Sequence, residues 1–486
     1  MMKLSYKKLC RSLLTVFFLL SLGISVVAQV NNTLYFMHGV PQSNRINPAY
    51  QPDCGFYFGF PMLAPLRAEL SSSSLAWEDV IYQHPNEPDS LITFLHPLGS
   101  KEAFLNKLEP VNFVASDLGT SLISVGFRTG AGFFTLDVIT RWDGNIYYPG
   151  DLARLMISGA DEGDSYELDG IGADLMAFDE ISVGWSKEIL DRLTVGVKAK
   201  MLFGIGDLST ISSDLSVSTS QDVWNIQSDM QFNASLPFAE VSYDEDGLME
   251  DVVINDDFEN PSFSSLSKYM LNTNNLGLGL DLGLEYRPIE PLQISVSLVD
   301  LAYIRWKDEV HQVDYATEYD FTGLELNPFD LSEDYAFEDY LDSTLTQMSD
   351  SLMGFLEFTP GGAYSKRLNT KLYAGVSYYV TPKINFGLLS RTDFLNGKVA
   401  EQLTASANFT TGRFLNLTLS YSYMNAYFKN IGAGLSINAG PLNLYLISDN
   451  ALNAVFWPEE ARSVNLWFGF NFLFGYKERA DLPLVQ

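Results

Sequence analysis

The sequence of 486 residues is poor in cysteine, histidine and basic residues, and each shortage excludes a class of protein. Of its 2 cysteines, Cys10 lies in a predicted N-terminal leader, so Cys54 has no partner for an intrachain disulfide. The 30 lysines and arginines stand against 60 aspartates and glutamates, giving a formal net charge of −30. Such a chain is not expected to bind nucleic acid, because phosphate contacts need lysine and arginine in excess.

Long apolar runs are missing after residue 28, so the sequence contains no candidate transmembrane helix there. Residues 1–28 have a basic start, an apolar centre at 13–22 and small residues ending at Ala28. This pattern predicts a secretory signal peptide that is removed before Gln29. A retained anchor is the alternative, but its apolar run is short for a membrane span. If the chain crosses a membrane, strands must cross it.

Alternation with a period of two residues dominates the rest of the sequence. Residues 276–287 (LGLGLDLGLEYR) place leucines on one face and mainly glycine and charged residues on the other. Residues 193–203 and 464–475 repeat this pattern. Hydrophobic residues make up 47% and aromatic residues 13% of the chain, which is too apolar for an acidic disordered protein. The alternation indicates β-strands with one apolar and one polar face.

The length of these stretches favours a membrane barrel over a soluble sheet. Soluble strands average about 5–6 residues, whereas outer-membrane strands need about 9–11. Short turns such as 381–383 and 439–441 alternate with longer polar segments such as 390–401 and 448–462. The sequence predicts an all-β fold, a transmembrane antiparallel β-barrel of about 14 strands (range about 12–16). A soluble secreted β-sandwich is the alternative.

Two regions break the alternation within the predicted barrel domain, residues 29–486. Residues 75–110 contain short helical patterns cut by prolines, and we interpret them as a helical plug or hatch. Residues 321–356 carry a helical pattern with acids between apolar positions, which predicts a helix-bearing insertion. A turn is expected at 367–370, although it falls at the wrong end for its neighbours.

Several short motifs resemble those of a known family. They are INPAY at 46–50, GFYFGFP at 55–61, FGLLSR at 386–391 and a closing EARSVNLWFGFNFLFG at 460–475. With these motifs the sequence resembles a Bacteroidota-type family of outer-membrane β-barrels of unknown function. The early Asn-Pro-Ala is also similar to that of FadL-type channels for hydrophobic compounds and of barrels that accompany type IX secretion. The resemblance implies a Gram-negative outer membrane and an N-terminal hatch, but it supplies no substrate or site residues.

The Asn-Pro-Ala motif gives one candidate site. We expect Asn47 and Pro48 to form the pivot at which the exported N-terminus turns into the barrel mouth, with Asn47 satisfying backbone groups and Pro48 fixing the chain direction. A plain turn without a plug role is the alternative, because Asn-Pro commonly starts turns.

Charged residues on the polar faces give a second candidate site. Charge is costly on a lipid-facing surface, so these side chains are expected to face the lumen. They are Arg128, Asp137, Arg141, Lys198, Lys200, Asp281, Glu285 and Arg287. There they would either set the selectivity of a channel or pair with one another and fill the barrel.

The sequence offers no catalytic or metal site. The motif G-x-S-x-G is absent, and no Ser-His-Asp set can be assigned. His84 and His96 each precede a proline, but no cysteine or carboxylate cluster has ligand spacing beside them. We therefore predict no enzyme, no cofactor and no metal.

The predicted function is passive uptake of a small hydrophobic solute across the outer membrane. The alternative is a non-transporting accessory or scaffold barrel of a secretion or surface assembly, with the 321–356 insertion as its contact. The expected partners are outer-membrane lipid, lipopolysaccharide and the barrel-assembly machinery.

Overall fold

The period-two stretches form a closed barrel of 14 antiparallel strands in the computed structural model, as the sequence predicts. The structure describes residues 32–37, 39–159, 163–220, 223–243, 249–259, 262–321, 357–395, 398–424, 427–451 and 462–475. No helix in these ranges is long and apolar enough to span a membrane.

The described strands and helices have the following bounds. In chain order the strands are β1 (Phe56–Gly59), β2 (Leu66–Ser72), β3 (Ile81–His84), β4 (Glu87–Thr93), β5 (Val111–Thr129), β6 (Gly132–Pro149), β7 (Ser165–Glu167), β8 (Gly172–Leu190), β9 (Leu193–Thr219), β10 (Trp224–Ser235), β11 (Ala239–Tyr243), β12 (Met249–Ile254), β13 (Leu276–Ile289), β14 (Leu292–Trp306), β15 (Val310–Phe321), β16 (Glu357–Pro360), β17 (Tyr364–Arg367), β18 (Thr370–Thr381), β19 (Ile384–Leu395), β20 (Lys398–Thr411), β21 (Leu415–Met424), β22 (Tyr427–Ala439), β23 (Leu442–Ser448) and β24 (Ser463–Phe474). The helices are α1 (Asn32–Tyr35), a 3-10 helix (Pro41–Arg45), α2 (Trp77–Val80), α3 (Lys101–Leu105), α4 (Gly150–Ser158), α5 (Asp256–Glu259) and α6 (Phe263–Met270).

The first and last strands close the barrel. β1 pairs antiparallel with β24 on one side and β5 on the other, and β2 continues along the same two neighbours. β1 and β2 therefore act as one interrupted wall strand. The other wall strands are, in order, β5, β6, β8, β9, β13, β14 and β18 to β24.

The outer face of the wall is apolar. Leu278, Leu388 and Leu403 are 52%, 65% and 52% exposed on three different wall strands. Their neighbours along each strand point inward and are glycine, polar or charged, as in β13, where Asp281 is buried and Leu282 is exposed. An outward apolar belt with a polar interior is the arrangement of a barrel in a lipid bilayer.

The two ends of the barrel differ. At one end, called the short-turn end, neighbouring wall strands are joined by brief turns such as those at 382–383 and 440–441. At the other, called the long-loop end, β9 continues beyond the wall and pairs with β10. β10 pairs along its length with β15, and β16 adds to the edge of β15. We call β10, β15, β16 and residues 207–219 of β9 the extension.

In the segment 75–110, expected as a helical hatch, the structure shows the two short helices α2 and α3 with a β-hairpin between them. This segment joins β2 to β5 at the long-loop end, and β3 and β4 form a hairpin within it. Helix α3 and the neighbouring chain contact α4 through the hydrogen bond from Arg154 Nη2 to the Leu105 carbonyl, 3.3 Å long. The hairpin pairs Ile81 with Thr93 and Tyr82 with Ile92.

The expected turn at 367–370 is wrong. β17 and β18 both pair with β14 in one continuous register, from Trp306 opposite Tyr364 to Leu292 opposite Tyr378. The chain therefore passes through 367–370 as part of a wall strand. Because no turn lies there, no turn falls at the wrong end relative to its neighbours. Of the predicted insertion 321–356, Phe321 ends β15, and residues 322–356 lie outside the described residues.

Candidate functional site: a plugged lumen

Residues 32–54, which we call the plug, run through the inside of the barrel. The Thr33 amide donates to Asp449 Oδ1 at 2.6 Å, near the long-loop end. At the other end of the plug, the Gly55 amide donates to the Phe474 carbonyl at 2.9 Å, near the short-turn end. The plug therefore spans the lumen from one end to the other. The N-terminal plug predicted from the sequence is present, but it is built from residues before the first strand.

The Asn47–Pro48 turn fits against a part of the wall that has no side chains. Asn47 Oδ1 accepts a hydrogen bond from the Ala49 amide at 3.0 Å, which closes the turn. Gly196 and Gly283 lie opposite each other on β9 and β13. A Cβ on Gly196 would overlap the Pro48 carbonyl group, and one on Gly283 would overlap the Asn47 side chain. Glycine at both positions lets the turn approach the wall backbone.

An apolar cluster packs around the part of the plug between Leu34 and Ile46. The members from the plug are Leu34, Tyr35, Phe36, Met37, Val40 and Ile46, and those from the wall are Val299, Tyr373, Leu389, Tyr445, Ile447 and Trp467. Tyr35 stacks on Tyr373 with ring centroids 5.7 Å apart and donates to Ser295 Oγ at 2.8 Å. Burial of so many large side chains indicates a plug that is part of the folded core.

Asp137 on β6 joins the plug to the wall through ion pairs. Arg45 of the plug lies 2.9 Å from Asp137, and Lys198 lies 3.0 Å from its other oxygen. Asp137 is fully buried and Lys198 is 2% exposed. A carboxylate buried between two cations is compensated in charge and in hydrogen bonding, which a buried ion requires.

A second cluster of charges surrounds Asp300. Asp300 lies 3.0 Å from Arg141, 2.7 Å from Lys200 and 3.4 Å from Lys371. Lys200 is also 2.8 Å from Asp281. These five side chains come from β6, β9, β13, β14 and β18, so the cluster links five wall strands across the lumen.

The remaining predicted lumen charges lie towards the short-turn end. Arg128 Nη2 donates to the Pro52 carbonyl at 2.7 Å, and its Nη1 donates to Gln51 Oε1 at 2.6 Å. Arg287 Nη2 donates to Glu285 Oε1 at 3.0 Å. Arg128 thus holds the end of the plug, whereas Glu285 and Arg287 pair with each other.

Sequence reasoning missed several charges of this network, among them Arg45, Arg67, Asp300 and Lys371. Arg67 shares the inward face of β2 with Glu69, and Lys371 shares that of β18 with Tyr373, so their alternation could have revealed them. Asp300 could not be found in this way. It lies at an irregularity in the β13–β14 pairing, with a φ of 60°, and there Val299 and Asp300 are both buried. A bulge of this kind re-aims a side chain against the alternation.

A small polar cavity lies at the centre of this network. Its volume is about 70 Å³, and Arg45, Arg67, Arg141, Lys200 and Asp300 are among its lining residues. A cavity that binds benzene measures about 150 Å³ and is apolar. The space beside the plug is therefore too small and too charged to hold an aromatic hydrocarbon in this conformation.

The histidine pair of the sequence analysis does meet in space. His84 and His96 lie in the 75–110 segment with ring centroids 5.7 Å apart. Each Nδ1 accepts a backbone hydrogen bond, from Asn86 and Leu98 respectively, at 3.2 Å. In neutral imidazole this places the proton on Nε2, which then has no lone pair for a metal. Within the described ranges, no group of three or more histidine, cysteine or acidic residues could hold a metal ion.

A family model matches most of the sequence that forms this barrel. Residues 48–449 match the model of a family described as a family of unknown function (DUF5723). The chain belongs to the DUF5723 family. The match begins at Pro48 of the plug turn and includes every charge of the central cluster. A comparison with curated proteins gave no match.

Solved structures similar to this DUF5723 chain share little sequence identity with it. The toluene transporter TbuX of Ralstonia pickettii is 10% identical, with 89% of this chain and 94% of that chain covered and a TM-score of 0.40. The toluene transporter TodX of P. putida is 8% identical, with 88% and 93% covered and a TM-score of 0.38. A FadL homologue of Pseudomonas aeruginosa is 8% identical, with 93% and 100% covered and a TM-score of 0.37. Similarity at this level is too weak to transfer a substrate or a mechanism.

Proposed function

We propose that this protein lies in the outer membrane of a Gram-negative bacterium and lets a small hydrophobic solute enter passively through its wall. The observation that carries the proposal is the interruption of the first wall strand, residues 60–65. Six residues here face only residues 469 and 470 of β24, so four residues are extra.

The interruption presents apolar side chains to the lipid. Phe60, Met62 and Leu63 are 43%, 61% and 40% exposed. The Phe60 amide donates to the Phe470 carbonyl at 2.8 Å, and the Phe470 amide donates to the Leu63 carbonyl at 2.9 Å. The wall thus stays hydrogen-bonded while its side chains bulge outward. An apolar solute dissolved in the membrane would meet an apolar surface at this place.

The inner side of the interruption faces the central cavity. Pro65 of the interruption lines that cavity together with Arg67 and Trp467. Because Pro65 has no amide hydrogen, it adds no ladder hydrogen bond at this position. Since the cavity holds only about 70 Å³, entry of a solute requires the plug to shift. Passage by such a shift uses no energy source, and the proposal includes none.

Deleting residues 60–63 tests the interruption directly. An even number of residues is removed, so Leu66 keeps its outward direction and β1 runs into β2 in register with β24. Cells that produce the protein are given N-phenyl-1-naphthylamine, an apolar fluorophore, and its rate of uptake is measured. We expect the deletion to reduce uptake to the rate of cells without the protein.

Two controls accompany this deletion. Phe60→Ala keeps the four extra residues and should keep most of the uptake. A Gln42→Cys and Asn471→Cys pair in a Cys54→Ala background can be joined by a reducible bis-methanethiosulfonate cross-linker, which replaces the length of the two side chains that are hydrogen-bonded at 2.7 Å and fixes the plug to β24. Uptake should then depend on reduction of this cross-link. Unchanged uptake after deletion of 60–63, in a barrel that still folds, contradicts the proposal.

The filled lumen favours a second candidate function, a non-transporting accessory or scaffold barrel. The plug, the apolar cluster and the ion pairs surround a central cavity of about 70 Å³. The extension, together with residues 322–356, would then provide the contact with a secretion or surface assembly. This alternative predicts equal fluorophore uptake by cells with and without the protein. In either case outer-membrane lipid, lipopolysaccharide and the barrel-assembly machinery are expected partners.

A further inference from the structure

The facing edges of β2 and β5 run side by side without forming a continuous ladder. Ser72 lies opposite Val114 at one end of this stretch. At the other end, the Ser121 amide donates to the Pro65 carbonyl at 3.2 Å, in the same register. Between these ends no ladder pair joins the strands, although the structure describes every residue of both edges. We call this stretch, residues 66–71 and 115–120, the seam.

The opposite edges of the same two strands are fully paired. Residues 66–71 of β2 lie opposite residues 468–463 of β24, and residues 115–120 of β5 lie opposite residues 145–140 of β6. Because both ends of the seam share one register, its edges can approach or separate without a slip. Unpaired backbone groups are costly in lipid, so edges without a ladder need another contact to hold them together.

Arg67 supplies a contact across the seam on the lumen side. It pairs with Asp117 of β5, which is 1% exposed. Its guanidinium also lies over the Trp467 ring of β24, 5.4 Å from the ring centroid. Gly119 faces Arg67 in the register of the two ends, and a Cβ there would lie 3.6 Å from Arg67 Nε. The guanidinium therefore extends from β24 to β5 and lies against the backbone of the seam.

The seam lies between the lipid face and the central cavity. On the lipid face Leu66 and Leu118 are 45% and 48% exposed. On the lumen face Pro65, Arg67 and Gly119 line the cavity of about 70 Å³. A solute that passes through the seam crosses one layer of strands and meets Arg67 at the inner side of that layer.

We propose that the seam is the opening through which the solute leaves the lipid, and that Arg67 is the residue that gates it. This inference rests on the proposed function and names the gate of that same entry site. While Arg67 is paired with Asp117, the two edges stay together and the guanidinium covers the way into the cavity. When the pair separates, the edges part between ends that remain joined. The four extra residues of the interruption adjoin the Pro65 end and supply the length that this movement needs.

The width of the seam tests the role of Arg67 in the full folded barrel. Nitroxide labels are attached at Leu446→Cys on β23 and Trp142→Cys on β6, both outward-facing, in a Cys54→Ala background. Their separation in bilayers is measured by pulsed electron paramagnetic resonance. The labelled strands are four strand spacings apart, which is roughly 19 Å between backbones when the seam is closed. Arg67→Met should add a population in which the separation is longer by about one strand spacing, roughly 5 Å.

Arg391→Met is the matched control. Arg391 is also buried, lies 2.8 Å from Asp393 and covers the Tyr373 ring with 5.5 Å to its centroid. Its strand, β19, is paired on both edges at this point, so the separation of the labels should stay unchanged. Asp117→Asn should widen the seam as Arg67→Met does, and the two changes together should add nothing further. Asp117→Asn also carries the test if Arg67→Met does not fold.

Uptake of N-phenyl-1-naphthylamine distinguishes failure of this inference from failure of the proposed function. A gate that has lost a charged hydrogen bond should raise the rate of uptake roughly tenfold. An unchanged label separation in both Arg67→Met and Asp117→Asn overturns the gate, even where deletion of residues 60–63 still lowers uptake. A wider seam with uptake no faster than in cells without the protein overturns passage through the seam, and the proposed function with it.

Discussion

Arg141 on β6 donates two hydrogen bonds to Asp300 on β14, from Nη1 at 3.0 Å and from Nη2 at 3.3 Å. Asp300 reaches the lumen because of the irregular pairing at that point of β14, where its φ is 60°. Non-glycine residues rarely adopt this conformation, although aspartate and asparagine tolerate it best. The bulge therefore puts a carboxylate between three buried cations that would otherwise repel one another.

Replacing Asp300 with asparagine tests how much this carboxylate contributes to the stability of the barrel. Asparagine keeps the tolerance of positive φ, so the change removes mainly the charge. We expect the free energy of unfolding to fall by about 3–5 kcal/mol, because buried cations lose their partner. Urea unfolding in detergent, followed by tryptophan fluorescence, measures it. Asp320→Asn, on an exposed acid of β15, should change stability by less than about 0.5 kcal/mol. Equal effects of the two changes would contradict the assignment.

Adding a methyl group at Gly196 should dislodge the plug turn. Overpacking a tight contact costs about 1–3 kcal/mol, so Gly196→Ala should raise the open population of the plug roughly fivefold to a hundredfold. Cys54 is 2% exposed at the end of the plug, and its rate of maleimide labelling reports this opening. Gly130→Ala is the matched control, because a Cβ there meets nothing within 4 Å. If both variants label at the same rate, the turn does not depend on the glycine contact.

Replacing exposed leucines with arginine should distinguish leucines that face lipid from those that face water. Leu388 on β19 and Leu91 on β4 are almost equally exposed, at 65% and 67%. Leu388→Arg should destabilise the barrel in bilayers by up to about 2–4 kcal/mol, depending on depth. Leu91→Arg, on the hairpin beyond the wall, should change stability by less than about 0.5 kcal/mol. Equal losses would mean that the apolar belt does not face lipid.

The extension should weaken in mild acid because of His311. Burial lowers the pKa of His311, a residue that is 4% exposed and whose Nδ1 contacts the Tyr243 hydroxyl. The folded chain therefore favours neutral histidine, while the unfolded chain takes up a proton near its ordinary pKa of about 6.5. The stability that this provides is complete above about pH 6.5 and declines as the pH falls below it.

Amide hydrogen exchange in β10 and β15 measures this loss. After correction for intrinsic exchange rates, protection should fall from pH 7.5 to pH 5.5 in the unaltered protein. His311→Gln should make protection nearly independent of pH in this range. Glu309, whose Oε2 lies 3.8 Å from Nε2, favours the charged ring, so Glu309→Gln should steepen the fall. A pH response that survives in His311→Gln assigns the effect to another group.

Alternation predicted the barrel because lipid and lumen make opposite demands on successive residues. In β13 every leucine from 276 to 284 alternates with an inward residue, and the strand bounds follow the pattern closely. In 75–110 the prolines and apolar spacing predict short helices, of which α2 and α3 form, but they do not reveal the β3–β4 hairpin. The segment that does fill the lumen, 32–54, has no regular period, so its role depends on contacts with distant strands.

The central site was only partly visible in the sequence for the same reason. Charges at alternating positions, such as Lys198 and Lys200, could be assigned to the inward face. Asp300 could not, because a bulge changes the direction of a side chain without leaving a pattern. The interruption at 60–65 is masked by extra residues that are apolar like the strands on either side, although Pro61 and Pro65 mark a break in the strand.

Single-channel conductance in planar bilayers tests most directly whether residues 32–54 plug the barrel. The unaltered protein is compared with a deletion of residues 32–46, and with a control deletion of the β3–β4 hairpin, Ile81–Thr93. We predict large, frequent conductance steps only for the 32–46 deletion, because it alone empties the lumen. The account would be contradicted if a folded 32–46 deletion gave no conductance steps, or if all three proteins gave conductance steps of equal size and frequency.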